Sequence, residues 1–153
     1  MKNKKLLKAL ADFQQEVPVI YKDTQGYGYS YADLPTIFEK INPLLKKYNL
    51  GFYQKVDLLE QPNCVFDVLK TVIFHTETGE ELTTTTRIPN GVELKGMNSF
   101  QVMGSGITYL RRYALSSLLG LVTDKDTDGN IPFKKEVKKD NKSILERNDD
   151  PLA

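Results

Sequence analysis

The sequence has only one cysteine and one histidine among its 153 residues. A single thiol, Cys64, excludes an internal disulfide and fits a reducing compartment. Neither Cys64 nor His75 has partners at the spacing of a catalytic triad or a metal site. Both residues are therefore predicted to fill strand positions rather than to carry chemistry.

The sequence also lacks a long hydrophobic run and any large excess of charge. No apolar stretch approaches the length of a membrane span, and the N-terminal stretch "MKNKKLLKALADF" lacks the apolar core and cleavage site of a signal peptide. The formal net charge is +1, which by itself identifies no partner because a balanced total can hide patches. With 40% hydrophobic and 27% charged residues, the composition predicts one globular, cytoplasmic domain.

The N-terminal third predicts two amphipathic helices. Leu6, Leu10, Phe13 and Val17 recur at helical spacing. A second apolar stripe begins behind Asp33, a predicted N-cap with Pro35 in the first turn, and stops at Asn49–Gly51. Pro43 falls inside this stripe and is expected to kink or split the helix.

The middle of the chain predicts three antiparallel strands, and the following segment predicts one long helix. The strand sequences are "FYQKVDLL", "VFDVLKTVIFH" and "ELTTTTRI", the latter two forming a hairpin across "TETGEE". After the loop "IPNGVELKGMN", a helix from about Ser99 to Leu119 ends near Gly120. The predicted class is α+β, with the long helix packed on the sheet. Residues 1–123 form the predicted domain, and the polar residues 124–153 form a predicted mobile tail.

The long helix has three predicted faces at 100° per residue. The core face contains Phe100, Met103, Ile107, Leu110, Ala114 and Leu118. A separate polar stripe contains Gln101, Ser105, Thr108, Arg112 and Ser116, with Tyr109 and Tyr113 beyond it. Gly104 and Gly106 cost about 1 kcal/mol each in a helix interior, which predicts that a backbone or a ligand approaches closely there.

The polar stripe carries the side-chain types that hold phosphate oxygens, and the adjacent tyrosines offer faces for base stacking. Tyrosines at this spacing are more often core or interface residues, and an arginine pair is often a solvated face, so the spacing alone favours these interpretations over nucleic-acid binding. Arg111 falls inside the apolar face, which predicts a structural or oligomer contact. The predicted DNA contacts are Gln101, Ser105, Thr108, Tyr109, Arg112 and Tyr113, together with Lys95, Arg87 and Lys55.

The stretch "QVMGSGITYLRRYALSSLLGLVTDKDTDGN" resembles the signature of the ERF (essential recombination function) family of phage single-strand annealing proteins. Upstream, "YSYADLPTIFEKINPLLKKYNLGF" and "HTETGEEL" resemble the same family in the same order. The resemblance covers roughly residues 5 to 130.

The resemblance implies a single-stranded DNA-binding protein that promotes ATP-independent annealing of complementary strands in phage recombination. It also implies a β-β-β-α core like that of the eukaryotic annealing mediators, and assembly into a homo-oligomeric ring or filament. No catalytic residue and no cofactor follow from it, and the expected location is the cytoplasm of a bacterial host. A phage exonuclease or a single-strand binding protein is an implied further partner.

Two other hypotheses belong to different functional classes. Asp124, Asp126 and Asp128 could hold metal ions for a nuclease, or occupy positions 1, 3 and 5 of a calcium loop. Position 12 of such a loop would be Lys135 instead of glutamate, which disfavours calcium. The remaining hypothesis is that the Tyr/Arg helix serves only as a subunit interface.

Overall fold

A computed structural model describes residues 3–20, 24–25 and 30–123. Within these residues the architecture is α+β, as the sequence predicts, with three helices, a three-stranded antiparallel sheet and a short two-stranded pair. The elements in chain order are α1 (Lys4–Glu16), β1 (Thr24–Gln25), β2 (Ser30–Tyr31), α2 (Leu34–Lys47), β3 (Leu50–Gln61), β4 (Cys64–His75), β5 (Glu81–Arg87) and α3 (Ser99–Leu119). The short antiparallel pair β1–β2 lies where no element was predicted. The predicted tail lies outside the described residues.

Local sequence signals account for the ends of the helices. The Asp33 carboxylate accepts a hydrogen bond from the Thr36 N–H at 2.9 Å, which confirms the predicted cap of α2. Asn98 and Gln101 form a reciprocal capping box at the start of α3, and Gly120 ends it in the left-handed conformation with φ 68°.

Pro43 was predicted to kink or split the second helix, and it does not split it. The helix continues from Leu34 to Lys47 with Pro43 inside it. Pro43 is exposed, so the carbonyl that loses its helical N–H partner lies on the side of the helix that water can reach. The inner side of α2 keeps its packing through Ile37, Ile41 and Leu45, which are all buried.

The main sheet has the order β3-β4-β5, and both neighbouring pairs are antiparallel, which confirms the predicted strands and hairpin. The register pairs Leu50 with His75 at one end of β3–β4 and Gln61 with Cys64 at the other. Cys64 is exposed at the start of β4, and His75 is buried at its end. Both therefore fill strand positions, as predicted.

The register defines two faces of this sheet, because residues directly opposite one another point to the same side. The inner face contains Leu50, Gln54, Leu69 and Ile73, with Ile88 just beyond β5. The outer face contains the alternate residues of the same strands, among them Lys55, Lys70 and Arg87. The described helices pack on the inner face.

The core is the layer between the helices and the inner face. One cluster joins the first two helices, the sheet and the end of α3; its buried members include Leu6, Phe13, Ile41, Ile73, Leu115 and Leu119. A smaller cluster joins Leu69 and Ile88 to Ala114, with Ile107 and Leu110 packed against it. The C-terminal half of α3 is therefore packed into the core. The middle of α3 contacts the core only through the side that contains Ile107 and Leu110.

The predicted core face of α3 is only partly correct. Ile107, Leu110, Ala114 and Leu118 pack on the core clusters. Phe100 and Met103 do not: Phe100 is 84% exposed, and Met103 is also exposed. The physical reason is that the first two turns of α3 extend beyond the helical layer, so their apolar residues meet no described part of the core.

Candidate nucleic-acid interface

The structure divides the predicted DNA contacts between two surfaces on opposite sides of the sheet. Six belong to α3, and Lys95 lies in the exposed loop that precedes this helix. Lys55 and Arg87 lie instead on the outer face of the sheet. Because α3 packs on the inner face, the sheet lies between the two sets of residues. A straight segment of DNA therefore cannot contact both sets on one subunit.

The N-terminal half of α3 presents the predicted polar residues to solvent, and several of them have local partners. The Gln101 side chain accepts a hydrogen bond from the Asn98 N–H at 2.9 Å within the capping box. The Thr108 hydroxyl donates to the Gly104 carbonyl at 3.0 Å. Ser105, Tyr109 and the other polar residues of this half remain exposed.

Arg112 lies in a different environment from the one predicted. The helical pattern predicts that Arg112 lies on the polar stripe that holds DNA, yet only 9% of it is exposed. Its guanidinium carbon lies 5.0 Å from the ring centre of Tyr113 and 5.4 Å from that of Tyr109. The two rings are themselves 4.5 Å apart. Arg112 therefore belongs to a packed cation–π cluster, and Ser116 of the same stripe is buried as well.

The cause of this correction is the placement of the C-terminal half of α3. At Leu115 and Leu119 this helix packs into the cluster that also contains residues of the sheet and of α1. For example, the Gln14 amide donates to the Leu119 carbonyl at 3.3 Å. A helix enclosed on several sides buries a wide arc, so polar and apolar positions alike lose contact with water.

Arg111 anchors α3 to the sheet. Its Nε donates to the Gln54 side-chain oxygen at 3.3 Å, and the Gln54 amide donates to the Arg111 carbonyl at 3.0 Å. The same amide group also donates to the Thr71 hydroxyl at 3.0 Å. Arg111 is half-buried, and its described partner is a neutral amide on the central part of the inner face rather than a carboxylate.

The outer face contains functional candidates that the sequence interpretation missed. Lys70 is directly opposite Lys55, and Tyr53, Phe66 and Phe74 lie on the same face. Strand alternation alone shows that Tyr53 and Lys55 share one face of β3 and that Phe66, Lys70 and Phe74 share one face of β4. Only the pairing register places the two sets on the same side of the sheet.

Asp57 is the carboxylate that balances the lysines on the outer face. It accepts a hydrogen bond from Lys70 at 2.8 Å and lies 3.2 Å from the Lys55 ammonium. The hydrogen bond from Lys70, followed by those from the Leu58 N–H and Lys55, holds the pKa of the Asp57 carboxyl well below its usual range. Asp57 therefore stays ionised, and it orders the two lysines without cancelling both charges.

A groove lies between the loop after β5 and the first half of α3. Its volume is about 600 Å³. Apolar side chains dominate its walls, with Ser105, Gly106 and Tyr109 on the helix side; the loop side includes Ile88, Val92 and Leu94. A β-carbon added at Gly104 or Gly106 would meet nothing within 4 Å in the described part of the chain. The predicted close approach at these glycines is therefore not made by the described residues.

The described residues show neither a metal site nor a membrane-spanning helix. Within 3–20, 24–25 and 30–123, no group of three or more His, Cys, Asp or Glu side chains could hold a metal ion. Asp124, Asp126 and Asp128 lie outside these residues, so the acidic cluster of the nuclease hypothesis has no described geometry. None of the described helices is long and apolar enough to cross a membrane.

Comparison with known proteins identifies the family. The model of the ERF superfamily matches residues 6–150, and the chain belongs to this superfamily. The chain is similar to the essential recombination function protein of Salmonella phage P22, with 29% identity over 128 residues. The aligned region covers 82% of this chain and 60% of that relative, so the chain spans less than two thirds of the relative's length. No solved structure matches the chain significantly.

Proposed function

We propose that this protein binds single-stranded DNA and promotes ATP-independent annealing of complementary strands during phage recombination, in the cytoplasm of the bacterial host. The observation that carries the proposal is the match of the ERF superfamily model to residues 6–150. The name of the phage P22 relative, an essential recombination function protein, supports the same process.

Annealing requires no bond chemistry, so the proposal assigns no catalytic residue and no cofactor. A protein that grips phosphates in a sequence-independent way holds strands while leaving their bases free to pair. The proposed contacts are the exposed predicted residues of α3 and its loop (Gln101, Ser105, Thr108, Tyr109, Tyr113 and Lys95) and the two cations of the outer face, Lys55 and Arg87. Arg112 takes a structural part instead, because it is buried.

Self-assembly is a further part of the proposal, and an exonuclease or a single-strand binding protein of the phage is the proposed further partner. Exposed apolar residues cluster at the start of α3 and at the distal end of the sheet. They include Phe100, Met103, Val56, Leu58 and Val65. Contiguous exposed apolar surface marks interaction sites in soluble proteins. A second copy that covers these residues would complete the apolar packing of the first turns of α3.

Salt dependence tests the proposed grip on phosphates. We expect affinity for a labelled single strand to fall steeply with salt, with a log–log slope of about −0.7 for each phosphate contacted, and to vary little with base sequence. Fluorescence anisotropy between low and high salt measures the slope, and a strand-annealing assay without ATP measures the activity. Equal binding at both salt concentrations would contradict the phosphate grip. Strand cleavage that requires magnesium and disappears in Asp126→Asn/Asp128→Asn would favour the nuclease instead.

Gly104→Ala tests whether another molecule approaches α3. We expect the variant to melt higher, because alanine favours a helix interior by about 1 kcal/mol over glycine and its β-carbon enters open space. We also expect weaker assembly or DNA binding, since the added methyl group would obstruct the approach. Ser117→Ala, at an exposed position of the same helix that is not among the proposed contacts, is the control. A Gly104→Ala protein that is more stable and unchanged on a sizing column and in binding would show that the glycine has no contact role.

A further inference from the structure

The cationic residues of the main sheet all lie on one side of it. The three strands contain three lysines and arginines in total: Lys55 in β3, Lys70 in β4 and Arg87 in β5. The register places Lys55 opposite Lys70, and Arg87 opposite Val68, which itself faces Asp57. All three cations therefore lie on the outer face.

Three of the four aromatic residues of these strands share that face. Tyr53 and Phe74 form a ring contact with centres 6.2 Å apart, and Tyr53 is 45% exposed. The Arg87 guanidinium carbon lies 3.9 Å from the centre of the Phe66 ring. The Phe74 ring extends over Gly51, where a β-carbon would come within 2.5 Å of it. The rings are thus spread along the face, beside the cations.

The charge of the outer face is complementary to a nucleic acid. Asp57 is the carboxylate among the three cations, while Glu81 lies at the other end of β5, opposite Phe74 and four residue pairs from the pair Lys55–Lys70. The inner face has the reverse distribution: its strand positions contain Glu60 and Asp67 and no lysine or arginine. This separation of charge is a property of the register and cannot be seen in the net charge of +1.

We propose that the outer face of the sheet is a binding surface for single-stranded DNA. Lys55, Lys70 and Arg87 contact backbone phosphates, and the exposed ring of Tyr53 offers a face on which a base stacks, while Phe66 holds the Arg87 guanidinium over its ring. This inference rests on the proposed function and names a site for it on the side opposite α3. Interleaved cations and aromatic rings favour an unpaired strand over a duplex or an acidic polypeptide, because only unpaired bases expose faces that can stack on the rings.

The first experiment removes two charges from the outer face and compares an equal removal elsewhere. Lys55→Gln/Arg87→Gln is the test variant, and Lys40→Gln/Lys46→Gln, on exposed positions of α2, is the matched control. With a labelled oligo-dT, we expect the test variant to bind at least about tenfold more weakly at low salt. Its log–log salt slope should become shallower by about 1.4, since each phosphate contact contributes about 0.7. The control should keep the affinity and slope of the parent.

A second pair of variants tests stacking. Tyr53→Ala should weaken binding by about tenfold or more through loss of a ring platform, and Tyr53→Phe should restore it because the ring face is kept. Melting curves identify variants that fail to fold. Lys55→Gln alone, at an exposed position, replaces the double variant in that case and should change the slope by about 0.7.

Each result supports or overturns a stated claim. A parent protein that binds no single strand at all overturns the proposed function. A parent that binds, with a folded outer-face variant of equal affinity and slope, overturns this site and leaves the proposed function standing. Equal losses in the α2 control would show a net-charge effect and overturn the site as well. Competition by duplex DNA or by polyglutamate as effective as that by the unlabelled single strand would overturn the assignment of an unpaired strand.

Discussion

Replacing Leu115 with alanine is expected to lower the free energy of unfolding by about 2–5 kcal/mol. Leu115 is fully buried, in the cluster that joins the end of α3 to α1, α2 and the inner face. Truncation removes its apolar contacts and leaves a cavity that several rigid elements surround, so the site has little scope to collapse. Urea unfolding monitored by circular dichroism measures the change.

Phe100→Ala is the matched control on the same helix. The sequence pattern placed Phe100 in the core, but the side chain is 84% exposed. We expect the unfolding free energy of this variant to change by no more than about 0.5 kcal/mol when it is measured at a protein concentration where the chain is monomeric. A loss as large as that of Leu115→Ala would mean that the first turns of α3 are packed in the core and that their described exposure is wrong.

The boundaries of the elements were predictable because they depend on local chemistry. The predicted helix from Ser99 to Leu119 and its end at Gly120 agree with the structure, where a left-handed glycine accommodates the chain reversal. The Asp33 cap and the hairpin across Gly79 were predictable for the same reason. These signals act within a few residues and need no knowledge of the tertiary arrangement.

The buried side of α3 was not predictable from its periodicity. Helical periodicity assigns the same buried face to the full length of a helix. The burial of α3 instead changes along its length, because its C-terminal half is packed in the core and its start is exposed. The arc that contains Leu115 and Leu119 became the centre of the core because α1 closes over it. That contact joins residues about 100 positions apart in the sequence, and no local pattern encodes it.

The outer face was missed for a related reason. In β4, both faces contain buried apolar residues: Val68 and Val72 on the outer face, Leu69 and Ile73 on the inner. A central strand with apolar residues on both sides loses the two-residue alternation that would assign Lys70 to a face. The pairing register with β3 supplies that assignment, and it became available only with the structure.

Arg112→Ala is the second substitution for which we expect a large effect. The parent side chain is nearly buried against Tyr109 and Tyr113. A desolvated cation–π contact is worth about 2 kcal/mol or more, and the apolar stem of the arginine adds packing that alanine cannot replace. We therefore expect a loss of about 2 kcal/mol or more in unfolding free energy, seen as a lower melting temperature. Arg112→Lys should recover part of this loss, because it keeps the charge and the stem but not the planar group that stacks on the rings.

The same variants distinguish a structural arginine from one that holds DNA directly. A structural Arg112 predicts that the lysine variant binds single strands with nearly the affinity of the parent once folding is complete, because the outer-face cations and the exposed residues of α3 are intact. A direct phosphate contact predicts the opposite pattern: a normal melting temperature for Arg112→Ala together with a loss of DNA affinity. That second pattern would return Arg112 to the DNA-binding polar stripe inferred from the sequence and contradict its burial against the two tyrosines. Melting temperature and DNA affinity measured on the same preparations separate the two cases. Loss of a structural arginine lowers the melting temperature, whereas loss of a direct phosphate contact lowers the affinity at a normal melting temperature.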